Sequence, residues 1–152
     1  MAPHRLGQMI RIAGTCVEYD GLGVILRGPS GCGKSDLALR LIRQGASLVA
    51  DDVIEIRRED GRLLAAAPDA IAGMIEARGI GIVRLPHVAS TGVTLVVDLV
   101  AGEAVERMPE PASCELLGVR VPAVALAALE ASAVDKVRLA ALLAAGRLSA
   151  VT

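Results

Sequence analysis

Apolar residues in this chain gather in short runs that charged residues, prolines and Asp-Gly pairs interrupt. Residues 10–19 mix apolar and polar positions in a strand-like way, Asp20-Gly21 is a hairpin turn signal, and the apolar run 22–27 predicts a buried strand. The period then changes. Leu37, Ala38, Leu39, Leu41 and Ile42 fall at helical spacing and stop at Gly45, which predicts a helix beginning near Gly33. Residues 46–50 are another short apolar run, ending at Asp51-Asp52, and residues 53–58 and 62–67 flank Glu59-Asp60-Gly61 as a second hairpin. Pro68-Asp69 opens a short helix over 69–74. The segment 75–82, with two glycines beside Glu76 and Arg78, is expected to be a site loop rather than a core strand. A strand follows at 93–99, then an exposed connection at 101–113 with Gly102, Pro109 and Pro111. Residues 116–125 supply one or two further strands, with Pro122 favouring an edge. The stretch 127–145 predicts a helix with an apolar stripe through Leu129, Val137, Ala140 and Leu143, closing at Gly146.

Strands that follow one another without intervening helices imply an antiparallel or mixed region, so the expected fold class is α/β with a mixed β-sheet. A chain of 152 residues suits a single domain spanning residues 1–152. The net charge of −1 provides no basic field, and with no Trp, no Phe and only Tyr19 there is no stacking platform for bases. Nucleic acid is not an expected partner. Every apolar run falls well short of a membrane span, and residues 1–14 hold no apolar segment followed by a small-residue cleavage site, so a cytoplasmic protein without membrane contact is expected. Cys16, Cys32 and Cys114 are odd in number and lack metal-ligand spacing, and His4 and His87 stand apart from them.

The chemistry concentrates where the strand 22–27 runs into Gly28-x-x-x-x-Gly33-Lys34-Ser35, the phosphate-binding P-loop pattern. A loop wrapped around phosphate turns its backbone N–H groups inward, which favours glycine at Gly28, Gly31 and Gly33. The helix that starts there adds its unpaired N–H groups and dipole. Lys34 supplies a mobile positive charge, and Ser35 offers a hydroxyl to Mg²⁺. Of two lysines against fourteen arginines, one is Lys34. Cys32, inside the loop, would have its thiolate favoured by the dipole and Lys34; an inert loop thiol is the plainer alternative. Strand-end carboxylates complete such a site. Asp51 and Asp98 both qualify, and spacing leaves that choice open.

Three segments together resemble the catalytic domain of HPr kinase/phosphorylase, the family that phosphorylates a serine of the phosphocarrier HPr. They are Gly28-Pro-Ser-Gly-Cys-Gly-Lys-Ser-Asp36, Leu48-Val-Ala-Asp-Asp52 and Ile75-Glu-Ala-Arg-Gly-Ile-Gly81, in order from about residue 24 to 98. The likeness is to the short alphaproteobacterial form without an N-terminal domain. The resemblance implies an HPr kinase / PEP carboxykinase-like fold, an ATP-dependent serine kinase using Mg²⁺, an HPr-like phosphocarrier of the phosphotransferase system as partner, and a homo-oligomer, hexameric in the family. It implies that Gly28, Pro29, Ser30, Gly31, Cys32, Gly33, Lys34, Ser35 and Asp36 hold the nucleotide. Asp51 would be the general base, acting with Lys34 and Arg78, while Ser35, Asp52 and Glu76 would hold the metal or its waters. Asp98 then becomes a strand-end carboxylate that pairs locally.

Two departures bear on activity. The family carries a histidine in the strand before the loop, where this chain reads Ile12-Ala13-Gly14-Thr15. Longer members also carry a Gly-Arg-Asn loop near the C-terminus, linked to phosphorolysis, and Val119-Arg120-Val121-Pro122 does not match it. Weak or no phosphorylase activity is therefore expected. The other readings to test are a small-molecule or nucleotide kinase and an ATP-sensing protein without turnover. A GTPase would need an Asn-Lys-x-Asp segment, which neither Lys34 nor Lys136 supplies.

Overall fold

A computed structural model of the chain describes residues 8–151. His4, and with it much of the N-terminal stretch read for a leader, lies outside the described residues. The expected strand over 10–19 is two strands, β1 (Met9–Ala13) and β2 (Thr15–Tyr19). Gly14 divides them. Its φ is +155°, a Cβ there would stand 2.8 Å from the Leu26 carbonyl oxygen, and its N–H donates to the Asp52 carbonyl at 3.1 Å. β1 leaves to pair with β5 (Val53–Glu59), whereas β2 pairs with β3 (Leu22–Arg27) and β4 (Ser47–Ala50).

Turn chemistry sets the register. Asp20 and Gly21 (φ 54° and 79°) close the β2–β3 hairpin, and Asp60 and Gly61 (φ 52° and 74°) join β5 to β6 (Arg62–Ala66). Both are two-residue turns with consecutive left-handed residues, the geometry that matches strand twist. A third such turn, Leu117-Gly118 (φ 47° and 77°), joins β10 (Ala112–Leu116) to β11 (Val119–Leu126). A leucine there gives no turn signal, which is why that hairpin does not stand out in the sequence.

The strand β9 (Thr91–Leu99) is the spine of the mixed sheet. It runs parallel to β3 along one side and, along the other, antiparallel to β6 at its start and parallel to β11 at its end. The order is β1-β5-β6-β9-β3-β2-β4, with β11 and β10 continuing from the second half of β9. Helices α1 (Lys34–Arg43) and α2 (Ala133–Ala144) pack on one face, where Val24, Leu26, Leu95 and Val97 meet Leu37, Leu41 and Val137. The intervening residues Ile25 and Val96 face the other way, into a cluster with Ile54, Ile56 and Leu63. Because β3 and β9 are covered on both faces, each is a nearly continuous apolar run rather than an alternating one. This is the α/β fold with a mixed sheet that the pattern predicts.

Three expectations are corrected. Gly73, at φ 77°, ends the turn Asp69–Ile71 before a helix over 69–74 can form. The segment 75–82 is not a loop. β7 (Met74–Ala77) pairs with β8 (Gly81–Arg84), and Ile75 and Ala77 point into the interior while Glu76 and Arg78 point out. Helix α2 starts at Ala133, not 127, because residues 127–130 continue the chain from β11 into a turn, in which the Ala133 N–H donates to Glu130. Its buried stripe is Ala133, Val137 and Ala141, and Leu129 is left 78% exposed. Pro122 lies just before the residues of β11 that pair with β9, so its missing N–H removes no ladder bond on that side.

Candidate active site

The carboxyl ends of β3, β4, β9 and β11 gather around the loop 28–33. Gly31 and Gly33 have φ of 82° and 100°, and Gly28 is packed so that a Cβ would meet the Cys32 Sγ at 2.7 Å. Any side chain at these positions would strain the backbone or displace the loop. The Cys32 N–H donates to the Pro29 carbonyl at 3.1 Å, closing the tip of the loop, and Pro29, Ser30 and Gly31 are exposed. Helix α1 begins at Gly33 with no side-chain cap, so its first N–H groups point out of the helix end unclaimed. The result is a concave set of amide donors, suited to an anion.

Lys34 folds back over this loop. Its Nζ donates to the Gly28 carbonyl at 2.7 Å and the Pro29 carbonyl at 3.2 Å. Asp36, one position further from the loop than Ser35, is ion-paired with Arg40 at 3.1 Å across one helical turn, and Arg40 also donates to the Ala128 carbonyl. Asp36 thus serves to fix Arg40 between α1 and the end of β11.

Asp51 stands directly beyond the end of β4 and is buried, at 7% exposure. Its Oδ1 accepts the Ser35 hydroxyl at 3.0 Å and the Thr15 hydroxyl at 2.9 Å, and its Oδ2 accepts the Glu76 backbone N–H at 3.0 Å. Three neutral donors hold this carboxylate, and none is a cation. Neighbouring Asp52 has φ 71° and turns outward, its carbonyl taken by Gly14 and its side chain exposed. The side chain of Glu76 is likewise exposed, and so is Arg78 in the β7–β8 turn. Among the described residues no hydrogen bond or ion pair engages the side chains of Asp52, Glu76 or Arg78.

The structure therefore brings Ser35 and Asp51 together, with Lys34 beside Ser35 at the start of α1 and the Glu76 amide on Asp51, while the side chains of Asp52, Glu76 and Arg78 stay exposed. Thr15 escaped the sequence reading. It carries no motif, is fully buried, and reaches Asp51 only because β2 lies between β3 and β4, with Thr15 opposite Leu26 and Cys16 opposite Ala50. Asp98 sits elsewhere on the same sheet edge, bound to Arg27 at 2.9 and 3.2 Å.

The Ser35 hydroxyl donates its hydrogen bond to Asp51, which leaves its oxygen lone pairs free for a cation. Its partner is the Asp51 carboxylate, and oxygen donors of this kind suit a hard ion such as Mg²⁺. Among the described residues no three His, Cys, Asp or Glu side chains cluster tightly enough to cage a metal alone. Mg²⁺ fits such a site because it keeps several waters and shares the phosphates of its nucleotide.

Comparison with known proteins bears on family and fold. A family model described as the HPr Serine kinase C-terminal domain matches residues 4–142. The HPr kinase/phosphorylase of Clostridium tetani is 39% identical over 95 residues, which are 62% of this chain and 30% of that protein. The HPr kinase/phosphorylase of Bacillus velezensis is 42% identical over 103 residues, 62% of this chain and 33% of that protein. The chain thus spans about a third of the length of these curated relatives. The solved structure of the Hpr(Ser) kinase/phosphatase from Coxiella burnetii superposes with a TM-score of 0.77 at 27% identity, covering 91% of this chain and 96% of that one.

Proposed function

This chain belongs to the HPr serine kinase C-terminal domain family, and from that membership we propose that it is an ATP-dependent kinase acting on a serine hydroxyl of an HPr-like phosphocarrier protein. The observation that carries the proposal is the hydrogen bond between Ser35, in the first turn after the glycine loop, and the buried Asp51. It couples a phosphate-binding loop to a carboxylate held by neutral donors. A protein that only sensed nucleotide would have no use for that coupling.

In this reading the amides of residues 28–33 and the start of α1 hold the triphosphate. Lys34 exchanges the Gly28 and Pro29 carbonyls for phosphate oxygens. Asp51 accepts the proton of the acceptor serine and orients its oxygen for in-line attack. Ser35, with Asp52 and Glu76, holds Mg²⁺ directly or through water. When bound, Mg²⁺ offsets the charge that develops on the phosphates. Arg78, in the β7–β8 turn next to the Glu76 amide that binds Asp51, meets the incoming phosphocarrier.

Phosphorolysis needs a second anion held in line, and Arg78 is the single guanidinium in the Ile75–Gly81 segment, so the enzyme works mainly as a kinase. It acts in the cytoplasm as a homo-oligomer, hexameric by resemblance. Ile80 and Ile82, 81% and 72% exposed on the β7–β8 hairpin, offer apolar surface for association. The test is to incubate the chain with γ-labelled ATP, Mg²⁺ and the phosphocarriers of its own organism. Label on a carrier serine is expected; label on a small molecule, or none with ATP bound, would overturn the proposal. Adding millimolar phosphate to the serine-phosphorylated carrier should release pyrophosphate far more slowly than the forward reaction runs.

A further inference from the structure

The glycine loop separates the carboxyl edge of the sheet into two halves. On the β4 side stands Asp51. On the other, the ends of β9 and β11 enclose a cavity of about 330 Å³ against the loop residues Pro29, Gly31 and Cys32. Its further walls include Val100, Ala101, Ala128 and Leu129, and no side chain lining it carries a nitrogen or oxygen atom. Leu129 is 78% exposed although it leans over the loop, where a Cβ on Gly33 would meet its Cδ2 at 3.5 Å. An apolar side chain held at the mouth of an apolar cavity, beside an anion-binding loop, lacks the cover that such a surface calls for.

We infer that this cavity takes the nucleoside half of the phosphoryl donor, with Leu129 lying over the base. The inference rests on the reading that the loop binds a nucleoside triphosphate. The terminal phosphoryl group has to face Asp51, so the rest of the donor extends away from β4, toward β9 and β11. The volume is at the lower end of small-molecule sites, roughly 300–1,000 Å³. Recognition there is by shape and apolar contact. Several backbone acceptors around it are already engaged: Ala101 by Ala104, Gly102 by Val105, Ala127 by Glu130 and Ala128 by Arg40. With no polar side chain and few free carbonyls, the site has little means to tell an amino group from a carbonyl on a purine.

Calorimetric titration of the full chain in Mg²⁺ with ATP, GTP and inorganic tripolyphosphate separates the two halves of the site. ATP and GTP are expected to bind within about threefold of each other, and tripolyphosphate about tenfold more weakly than ATP. Leu129→Ser, neutral and at an exposed position, should weaken ATP about tenfold and leave tripolyphosphate within about twofold. Ala101→Trp, also at an exposed position, fills the cavity and should do the same. Tripolyphosphate binding as tightly as ATP, or an equal loss of both ligands in the variants, would overturn the nucleoside assignment while leaving the loop reading intact. Failure of all three ligands to bind would instead remove the loop reading, and the inference with it.

Discussion

Two carboxylates stand at the carboxyl ends of β4 and β9, strands that β2 and β3 separate in the sheet, and the chain treats them in opposite ways. Asp98 is held by the fork of Arg27, at 2.9 and 3.2 Å, in a pair whose side chains are 42% and 31% exposed. Asp51 is buried and held by two hydroxyls and an amide. A guanidinium fixes a carboxylate and cancels its charge; neutral donors fix it and leave the charge for chemistry. Local sequence cannot distinguish the two, since each aspartate follows an apolar run. The neighbours decide, and they come from 71 residues away for Asp98 and 36 and 16 residues away for Asp51.

The largest effect should come from removing the charge at Asp51. Asp51→Asn keeps the size of the side chain and much of its hydrogen bonding, so nucleotide affinity should change little while transfer to the phosphocarrier falls about a hundredfold or more, the range of a lost general base. Phosphoserine formation and ATP titration measure the two separately. Equal loss of both, or no loss of turnover, would break the contrast with Asp98.

Thr15 tests whether orientation matters as well as charge. Thr15→Val keeps the buried shape but leaves Oδ1 of Asp51 with Ser35 alone. Turnover is expected to drop about tenfold with KM for ATP unchanged, and Thr15→Ser should restore most of it. A loss that serine does not rescue would mean that Thr15 serves packing only.

What could be read in advance follows from range along the chain. The glycine loop, the Asp-Gly hairpins and the start of α1 are written in adjacent residues, because turn dihedrals and helix periodicity are local. In the segment 75–82 two glycines beside charged residues mask the alternation of Ile75 and Ala77, which marks a strand. Leu129 looked like part of a helical stripe because its composition suits a helix, yet the chain must first turn from the end of β11 before α2 can start. Gly14 looked like an interior strand position, and only the close approach of Leu26 and Asp52 shows why it breaks the strand. Thr15 was illegible for a similar reason: its partner is set by the order of β2, β3 and β4 across the sheet.

A smaller effect is expected at the other carboxylate. Asp98→Asn removes an ion pair that is partly open to solvent, so stability should fall by no more than about 1 kcal/mol. In a chain of this size that is a decrease of about 2–4 °C in melting temperature. Kinase turnover should stay within about threefold of the parent protein. A loss of activity matching that of Asp51→Asn would show that the Arg27 pair, too, belongs to the chemistry.

The smallest effect is electrostatic and is read through Cys114 on β10, which shares the field of the Arg27–Asp98 pair. Burial pushes this thiol above its ordinary value; Arg27 pulls it down and Asp98 pushes it up. The thiolate is the species that reacts with an alkylating agent, so anything that lowers the thiol pKa speeds the reaction at a fixed mildly alkaline pH. Asp98→Asn removes one upward influence and frees Arg27 to act on the sulfur, so alkylation of Cys114 by iodoacetamide should quicken about two- to threefold. Arg27→Met should slow it. Asp51→Asn should leave it unchanged, because Asp51 is not among the charges that act on this thiol. Peptide mapping distinguishes Cys114 from Cys32 in the loop and from Cys16, whose burial raises its pKa much further and keeps it unreactive. If Asp98→Asn slowed the reaction, the freed Arg27 side chain would be covering the sulfur rather than setting its charge, and the account of Asp98 as a neutralised partner of Arg27 would have to be replaced.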